Sequence, residues 1–156
     1  MIDVEDFLKT NSIEYILHEH KAVFTTNEAN EINDIPGLQC KNLFLKTKKG
    51  DRFYLVILPA NEKLDLKNFG NQIIQSKLTF GSKEELKNSL GVEAGSVSPF
   101  GLLNDKLHIV NVYVSKLVMD ADIVGFHPNR NTATLELTRK MFSKYLNLIE
   151  NPINVI

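Results

Sequence analysis

Two apolar segments separated by a short polar turn constrain the fold of this chain more than any other feature. The first covers residues 43–45, and the second, residues 53–60, is the longest apolar run in the sequence. The turn at residues 48–51 contains Gly50, and short polar stretches with a glycine are typical of hairpin turns. The pattern therefore predicts two paired strands, the second of them buried.

The rest of the sequence mixes helical and strand patterns. Apolar spacing and capping signals predict helices near residue 4, after Thr26, near residue 66, after the capping box Ser82–Glu85, and after Thr138. Alternation predicts further strands over residues 14–20, 108–114 and 132–137. Because strands and helices mix without strict βαβ order, we expect an α/β (mixed α+β) fold with a central mixed sheet flanked by helices. The 156 residues show no linker or repeat and predict one domain over residues 1–156.

Composition narrows the possible partners. Lys plus Arg is 18 and Asp plus Glu is 19, so the net charge of −1 disfavours a generic nucleic-acid coat and predicts no DNA partner. No apolar run approaches the roughly 20 residues of a membrane span, and the acidic N-terminus does not match a secretory signal. We therefore expect no membrane association and a cytoplasmic location. The basic cluster at residues 46–52 fits a solvated hairpin turn better than an extended binding surface.

The sequence lacks the motifs of several common enzyme classes. The sequence has no Gly-x-Ser-x-Gly elbow, Walker loop or Gly-x-Gly-x-x-Gly fingerprint. His18 and His20 would share one face of a strand, but no third metal ligand lies near them, so no metal or other cofactor is predicted. Cys40 is the only cysteine, and a small buried thiol is a better interpretation than a nucleophile.

Three segments carry polar residues that suggest a site. Lys41 and Asn42 open an otherwise apolar strand, and residues 95–101 combine glycines, serines and a proline in a tight loop whose amides could face an anion. His127 lies between an aromatic residue and a proline, followed by small polar residues. Each segment taken alone also fits an ordinary surface element.

Taken together, these segments resemble one family. Residues 41–46 (KNLFLK), 58–60 (LPA), 95–99 (GSVSP) and 125–128 (GFHP) are similar, in the same order, to the YbaK/aminoacyl-tRNA deacylase superfamily, which includes the insertion domain of bacterial prolyl-tRNA synthetases. The similarity runs from Tyr15 to Leu148. Residues 102–105 and 131–135 resemble its free-standing alanyl-tRNA(Pro) deacylase branch in particular.

The resemblance implies a trans-editing hydrolase that cleaves the ester between a wrongly attached alanine and the terminal adenosine of tRNA(Pro). It implies the family's mixed sheet and no cofactor. The implied partners are the acceptor end of mischarged tRNA(Pro) and, as a further candidate, prolyl-tRNA synthetase. The site residues carried over are catalytic Lys41, Gly95, Ser98 and Pro99, and substrate-binding Asn42, Val97, Phe100, His127 and Asn131.

The residues implied by the resemblance fit the chemistry. An aminoacyl ester is already activated, so positioning a water and stabilising the oxyanion through the loop amides could suffice. A pocket sized for a methyl group would admit alanine and exclude the ring of proline. Two alternatives stay open at this point: a cysteinyl-tRNA(Pro) deacylase, and a non-catalytic module that binds tRNA or a synthetase.

Overall fold

The structure, a computed structural model, describes residues 1–22, 34–73 and 77–156. Within these ranges, the strands are β1 Ile16–Glu19, β2 Leu38–Thr47, β3 Phe53–Pro59, β4 Leu78–Phe80, β5 Val110–Val114, β6 Ile123–Phe126, β7 Ala133–Thr138 and β8 Ile153–Val155. The α-helices are α1 Val4–Thr10, α2 Leu66–Ile73, α3 Lys83–Leu90, α4 Lys116–Asp120 and α5 Arg139–Leu148, and a 3-10 helix covers Pro99–Asn104. No helix in these ranges has the length and apolar character needed to cross a bilayer.

The strands form one mixed sheet in the order β1-β7-β6-β2-β3-β5-β8, with β4 pairing with β2 outside this path. β2 and β3 form the predicted antiparallel hairpin, whereas β5 runs parallel to both β3 and β8. The predicted α/β (mixed α+β) class, with a central mixed sheet flanked by helices, is confirmed.

Two apolar clusters cover the two faces of the sheet. The larger contains Leu55, Ile57 and Leu135 together with apolar residues of α1, α3 and α5. The smaller packs Tyr54, Val56 and Leu58 of β3 against Phe69 of α2. Consecutive residues of β3 therefore point to opposite cores, which explains why residues 53–60 are apolar without interruption.

Local signals explain how the helices begin and end. The Ser82 hydroxyl accepts from the Glu85 amide and the Glu85 carboxylate accepts from the Ser82 amide, which is the predicted capping box. Gly91 ends that helix in the left-handed region at φ 69°, and Thr138 caps α5 as predicted. The helix predicted after Thr26 lies outside the described residues, as does the Ile74 end of the helix at residue 66.

Two strand boundaries differ from the sequence prediction. The strand expected over residues 108–114 begins at Val110, because His108 adopts φ 52° and the Asp105 carboxylate accepts from the amides of Ile109 and Val110. β2 begins at Leu38, because its first residues pair with β6. Lys41 and Asn42 therefore lie inside a ten-residue strand and do not open it.

Candidate active site

A gap in the sheet beside β2 creates the site. One edge of β2 pairs with β3 from Cys40 to Lys46, whereas the other edge pairs with β6 at Leu38 and Gln39 and with β4 only from Leu45 onward. Between these partners, the described residues leave the second edge of β2 open. The carboxyl end of β6 lies at this opening, and divergence of neighbouring strands is where α/β sheets commonly bind ligands.

A cavity of about 60 Å³ occupies the opening. Its described lining residues are Ile35, Pro36, Gly37, Leu38, Gln39, Cys40, Asn42, Gly125, Phe126, His127 and Thr134. Asn42 and His127 are thus brought together from segments 85 residues apart, as the sequence analysis expected of site residues. The other predicted site residues lie outside this lining.

Asn42, which lines the cavity, carries an unused hydrogen-bond acceptor. Its Oδ1 is buried and accepts no hydrogen bond from any described residue. A buried polar atom without a partner is costly, and such atoms concentrate where a ligand or water completes the bonding. Asn42 is therefore the described residue best suited to receive an N–H group of a bound molecule.

His127 forms the opposite wall as a neutral ring. Its Nδ1–H donates to the Ala133 carbonyl at 2.7 Å, which leaves Nε2 as an acceptor. Burial holds the pKa of His127 below 6.5, the hydrogen bond to Ala133 opposes that shift, and the nearby His20 adds to it. The His20 ring lies 6.0 Å away, with its Nε2 2.9 Å from the Thr134 hydroxyl.

Lys41 lies beside the cavity on the other face of the strand. Neighbouring residues of a strand point to opposite faces, and Lys41 stands opposite Leu58, whose side chain belongs to the smaller core. Lys41 as a residue is half-buried, and its ammonium group has no ion-pair partner among the described residues. The side chains of Lys41 and Asn42, which the sequence analysis grouped together, therefore point to opposite faces of the sheet beside the same open edge.

The segment from Ser98 to Phe100 is built into the core. The Ser98 hydroxyl donates to Asn129 Oδ1 at 3.1 Å and accepts from the Phe100 amide at 3.0 Å. The Pro99 carbonyl accepts from the buried Tyr145 hydroxyl at 2.6 Å. Phe100 is completely buried and packs edge-on against Tyr145 and Phe126. The Ser98 hydroxyl, the Pro99 carbonyl and the Phe100 ring are thus engaged within the protein and hold the loop in place.

The amides of the loop are only partly available, contrary to the expectation that the loop exposes its amides. The Ser96 amide donates to the Glu93 carbonyl at 3.0 Å, and the Phe100 amide donates to the Ser98 hydroxyl. In the described part of the chain, Gly95, Val97 and Ser98 keep amides without an acceptor. Gly95 is exposed at φ 90°, with open space where a Cβ would be.

Asn129 joins two of the predicted segments. Its Nδ2 donates to the Phe100 carbonyl at 3.3 Å while its Oδ1 accepts from Ser98, so the histidine loop is fastened to the 3-10 helix. Asn129 adopts φ 61°, a conformation that asparagine tolerates well. Asn131 is half-buried nearby and does not line the cavity.

Three other polar residues at the cavity were absent from the predicted set. Gln39 and Thr134 line it through strand alternation, which sequence reveals only once the register is known. Cys40 also lines it, but burial raises the pKa of its thiol to about 12 and the Sγ–H points to the Leu38 carbonyl. A thiol that stays protonated at neutral pH is a poor nucleophile.

Comparison with known families places the chain in context. Residues 20–145 match the model of the aminoacyl-tRNA editing domain. The chain is 38% identical over 153 residues to prolyl-tRNA editing protein ProX of Acetoanaerobium sticklandii, covering 97% of this chain and 91% of that protein. It is 30% identical over 144 residues to the mouse prolyl-tRNA synthetase associated domain-containing protein 1, covering 90% and 85% of the two chains.

Solved structures show the same fold. A protein described as a candidate trans-editing enzyme for prolyl-tRNA synthetase superposes with a TM-score of 0.73 at 21% identity, over 98% of this chain and 93% of the other. A protein described only as hypothetical superposes with a TM-score of 0.75 at 18% identity, over 99% and 98% of the two chains. At these identities, the likeness establishes the architecture.

Proposed function

This chain belongs to the aminoacyl-tRNA editing domain family, and we propose that it is a trans-editing hydrolase that removes alanine from mischarged tRNA(Pro). The family match confirms the resemblance found in the motifs. A relative named for prolyl-tRNA editing supports the broader activity, hydrolysis of an aminoacyl ester on tRNA(Pro). A protein with this activity is expected in the cytoplasm, where tRNA is charged. The preference for alanine rests on the cavity.

The observation that carries this preference is the small cavity with its free acceptor. A cavity needs about 10–15 Å³ to hold one water, so about 60 Å³ has room for four to six water-sized groups. The methyl and α-ammonium groups of alanine fill only part of that space, whereas the ring nitrogen and methylenes of proline would take up most or all of it. Asn42 Oδ1, buried and unpaired, would accept a hydrogen bond from the ammonium.

Hydrolysis needs few further groups. The oxygen of a water attacks the ester carbonyl, the bond to the ribose oxygen breaks, and the ribose oxygen takes up a proton as free alanine leaves. The amides of Gly95 and Val97 are the candidate donors to the oxyanion. Lys41, half-buried at the strand edge and without an ion-pair partner in the described ranges, would attract the phosphate or carbonyl of the terminal adenosine as a point charge.

Rejection of proline would follow from volume. Attraction to one methyl group gives only about 1–3 kcal/mol, so the cavity cannot select alanine strongly by affinity. A wall that clashes with the pyrrolidine ring can exclude proline far more effectively. His127, fixed through Ala133 by its hydrogen bond, is the described side chain placed to form such a wall.

The test is direct. The protein is incubated separately with tRNA(Pro) charged with alanine, cysteine or proline, and loss of the ester is followed with time. We expect rapid loss of alanine and slow loss of proline. The variant Asn42→Ala tests the role of the free acceptor, because it removes that acceptor without breaking a hydrogen bond within the described residues. We expect it to hydrolyse the alanine ester about 10- to 100-fold more slowly.

Three outcomes would overturn the proposal. Faster loss of cysteine than of alanine would make the protein a cysteinyl-tRNA(Pro) deacylase. Tight binding of charged tRNA without hydrolysis would make it a binding module. Equal rates of hydrolysis of the alanine and proline esters would show that the cavity does not exclude proline by its volume.

A further inference from the structure

A basic cleft lies at the far end of β2 from the candidate active site. Its volume is about 390 Å³, and the described residues that line it are Lys48, Leu66, Lys67, Asn71, Lys77 and Leu78. The three lysines come from separate places, namely the β2–β3 turn, helix α2 and the residue before β4. Three cations converging from separate segments form a positive surface that the sequence cluster at residues 46–52 shows only in part.

The charge of this cleft is not balanced locally. Lys48, Lys67 and Lys77 are exposed, and their ammonium groups form no hydrogen bond or ion pair with any described residue. None of the described lining residues is acidic. By contrast, Lys46 on the other face of β2 is paired with Glu85 at 2.6 Å. In a protein with net charge −1, such a group of unpaired cations marks a place for an anion.

Acidic residues near the cleft are already engaged. The Asp51 carboxylate is held by the Thr47 hydroxyl, and this hydrogen bond is the main reason that the pKa of Asp51 lies below its usual range. Asp65 accepts from the Asn68 amide at the start of α2. Both carboxylates keep their negative charge, but neither forms an ion pair with the three lysines within the described residues.

The cleft lies on the side of the sheet to which Lys41 points. Leu66 belongs to the smaller core, as does Leu58 opposite Lys41, so α2 covers that same face. Asn42 and Lys48 are six residues apart, and a strand rises about 3.3 Å per residue, so the two residues are about 20 Å apart along β2. Along the axis of a duplex, one strand places a phosphate about every 3.4 Å. A strand that ends in the cavity would pass the cleft several nucleotides earlier.

We propose that the lysines of this cleft bind the phosphodiester backbone of the tRNA acceptor arm while its terminal adenosine occupies the cavity. The inference rests on the proposed function in that it takes tRNA as the substrate. Lysines act as point charges on phosphates and read no base, so the cleft contributes affinity and orientation, not sequence recognition. The small net charge of the protein is consistent with this arrangement, because the RNA would contact one local group of lysines and not an extended basic surface.

The first experiment measures binding without hydrolysis. An uncharged acceptor-stem hairpin of tRNA(Pro) is titrated at 50 and 200 mM salt with wild type, Lys67→Glu/Lys77→Glu, and the matched control Lys106→Glu/Lys116→Glu. The control residues are exposed and lie outside the cleft. We expect the cleft variant to bind about tenfold more weakly at low salt, with the slope of log K against log salt smaller by about 1.4–1.8. The control variant should bind like wild type.

The second experiment separates this inference from the proposed function. Hydrolysis of alanyl-tRNA(Pro) is compared with hydrolysis of the alanyl ester of adenosine, which is too small to reach the cleft. The cleft variant should lose kcat/KM on the tRNA and keep the wild-type rate on the small ester. If wild type hydrolyses neither substrate, the proposed function fails, while the hairpin titration still decides the role of the cleft.

Three results would overturn the inference. The cleft variant could bind the hairpin as tightly as wild type. The cleft and control variants could lose equal affinity, which would indicate only the overall charge. A poly-glutamate peptide could bind where the hairpin does not, which would assign the cleft to an acidic protein partner.

Discussion

The opening beside β2 and the segment from Ser98 to Phe100 both belong to the predicted site, yet their polar groups are used in opposite ways. At the opening, Asn42 Oδ1 is buried without a partner and Lys41 has no ion pair among the described residues. In the segment, the Ser98 hydroxyl and the Pro99 carbonyl are engaged by Asn129, the Phe100 amide and Tyr145.

This difference separates groups that can act from groups that hold others in place. A hydrogen-bonding group that is already satisfied by the protein gains little from a ligand, whereas an unsatisfied buried group gains the most. We therefore expect substitutions at the opening to change catalysis at nearly constant stability. Substitutions in the segment should change stability at nearly constant catalysis.

Lys41 gives the largest expected effect on activity. Lys41→Ala should lower kcat/KM for alanyl-tRNA(Pro) about 100-fold or more, by analogy with removal of one preorganised group that stabilises charge in the transition state. The melting temperature should change little, because the ammonium has no partner among the described residues. Lys41→Arg should also be impaired, since its planar group is larger. Near-normal turnover by folded Lys41→Ala would place the important groups elsewhere.

His127 should control the ratio of two rates. Removing the ring in His127→Ala enlarges the cavity, so hydrolysis of prolyl-tRNA(Pro) relative to alanyl-tRNA(Pro) should rise about tenfold or more. Values of kcat/KM for both esters on the same tRNA measure this ratio. Loss of alanine activity with no gain on proline would instead indicate that His127 orients the substrate. An unchanged ratio with lower stability would make the residue purely structural.

Ser98 should affect stability before activity. Ser98→Ala removes two hydrogen bonds at a completely buried position, which should cost about 1–3 kcal/mol of unfolding free energy. Ser115→Ala is the matched control, because Ser115 is also a buried serine that caps a helix but makes no link to the histidine loop. We expect Ser98→Ala to lose more unfolding free energy than Ser115→Ala, and to keep a near-normal kcat at temperatures below its unfolding transition. A fall in kcat at unchanged stability would return Ser98 to the catalytic group.

Gly95 can be compared with Gly50. Both have positive φ, 90° and 75°, and open space at the Cβ position, so alanine at either should cost a similar 1–2 kcal/mol of backbone strain. If the ester passes close to Gly95, Gly95→Ala should also lower kcat while Gly50→Ala leaves it unchanged. Thermal unfolding and single-turnover hydrolysis distinguish the two effects. Equal kcat in both variants would limit Gly95 to a conformational role.

The pH dependence of stability gives the smallest effect. Burial keeps the pKa of folded His127 below 6.5, so the unfolded chain takes up a proton first as the pH falls. Stability should therefore decrease from about pH 7 downward until the folded ring is protonated as well. Melting temperatures at pH 7.5 and 5.5 should fall further in wild type than in His127→Ala. Equal falls would mean that burial of the ring does not contribute.

Local signals were sufficient for most of the secondary structure. The hairpin of β2 and β3, the capping box at Ser82 and the cap at Thr138 each depend on residues within a few positions of one another. Such signals act through backbone geometry and short-range hydrogen bonds, so a single sequence carries them completely. The resemblance to a family was not needed to predict these elements, because apolar periodicity and helix caps were enough.

The tertiary structure alone decided which polar residues face the opening. Alternation places Lys41 and Asn42 on opposite sides of β2 in any fold, but only the change of partner from β6 to β4 opens the edge beside them. Ser98 and Phe100 sit in a loop whose sequence suggests exposure, and they are buried because Asn129 and Tyr145, from distant segments, pack onto it. Burial and hydrogen-bond satisfaction depend on such distant neighbours, and so the sequence by itself determined the elements while their packing determined the site.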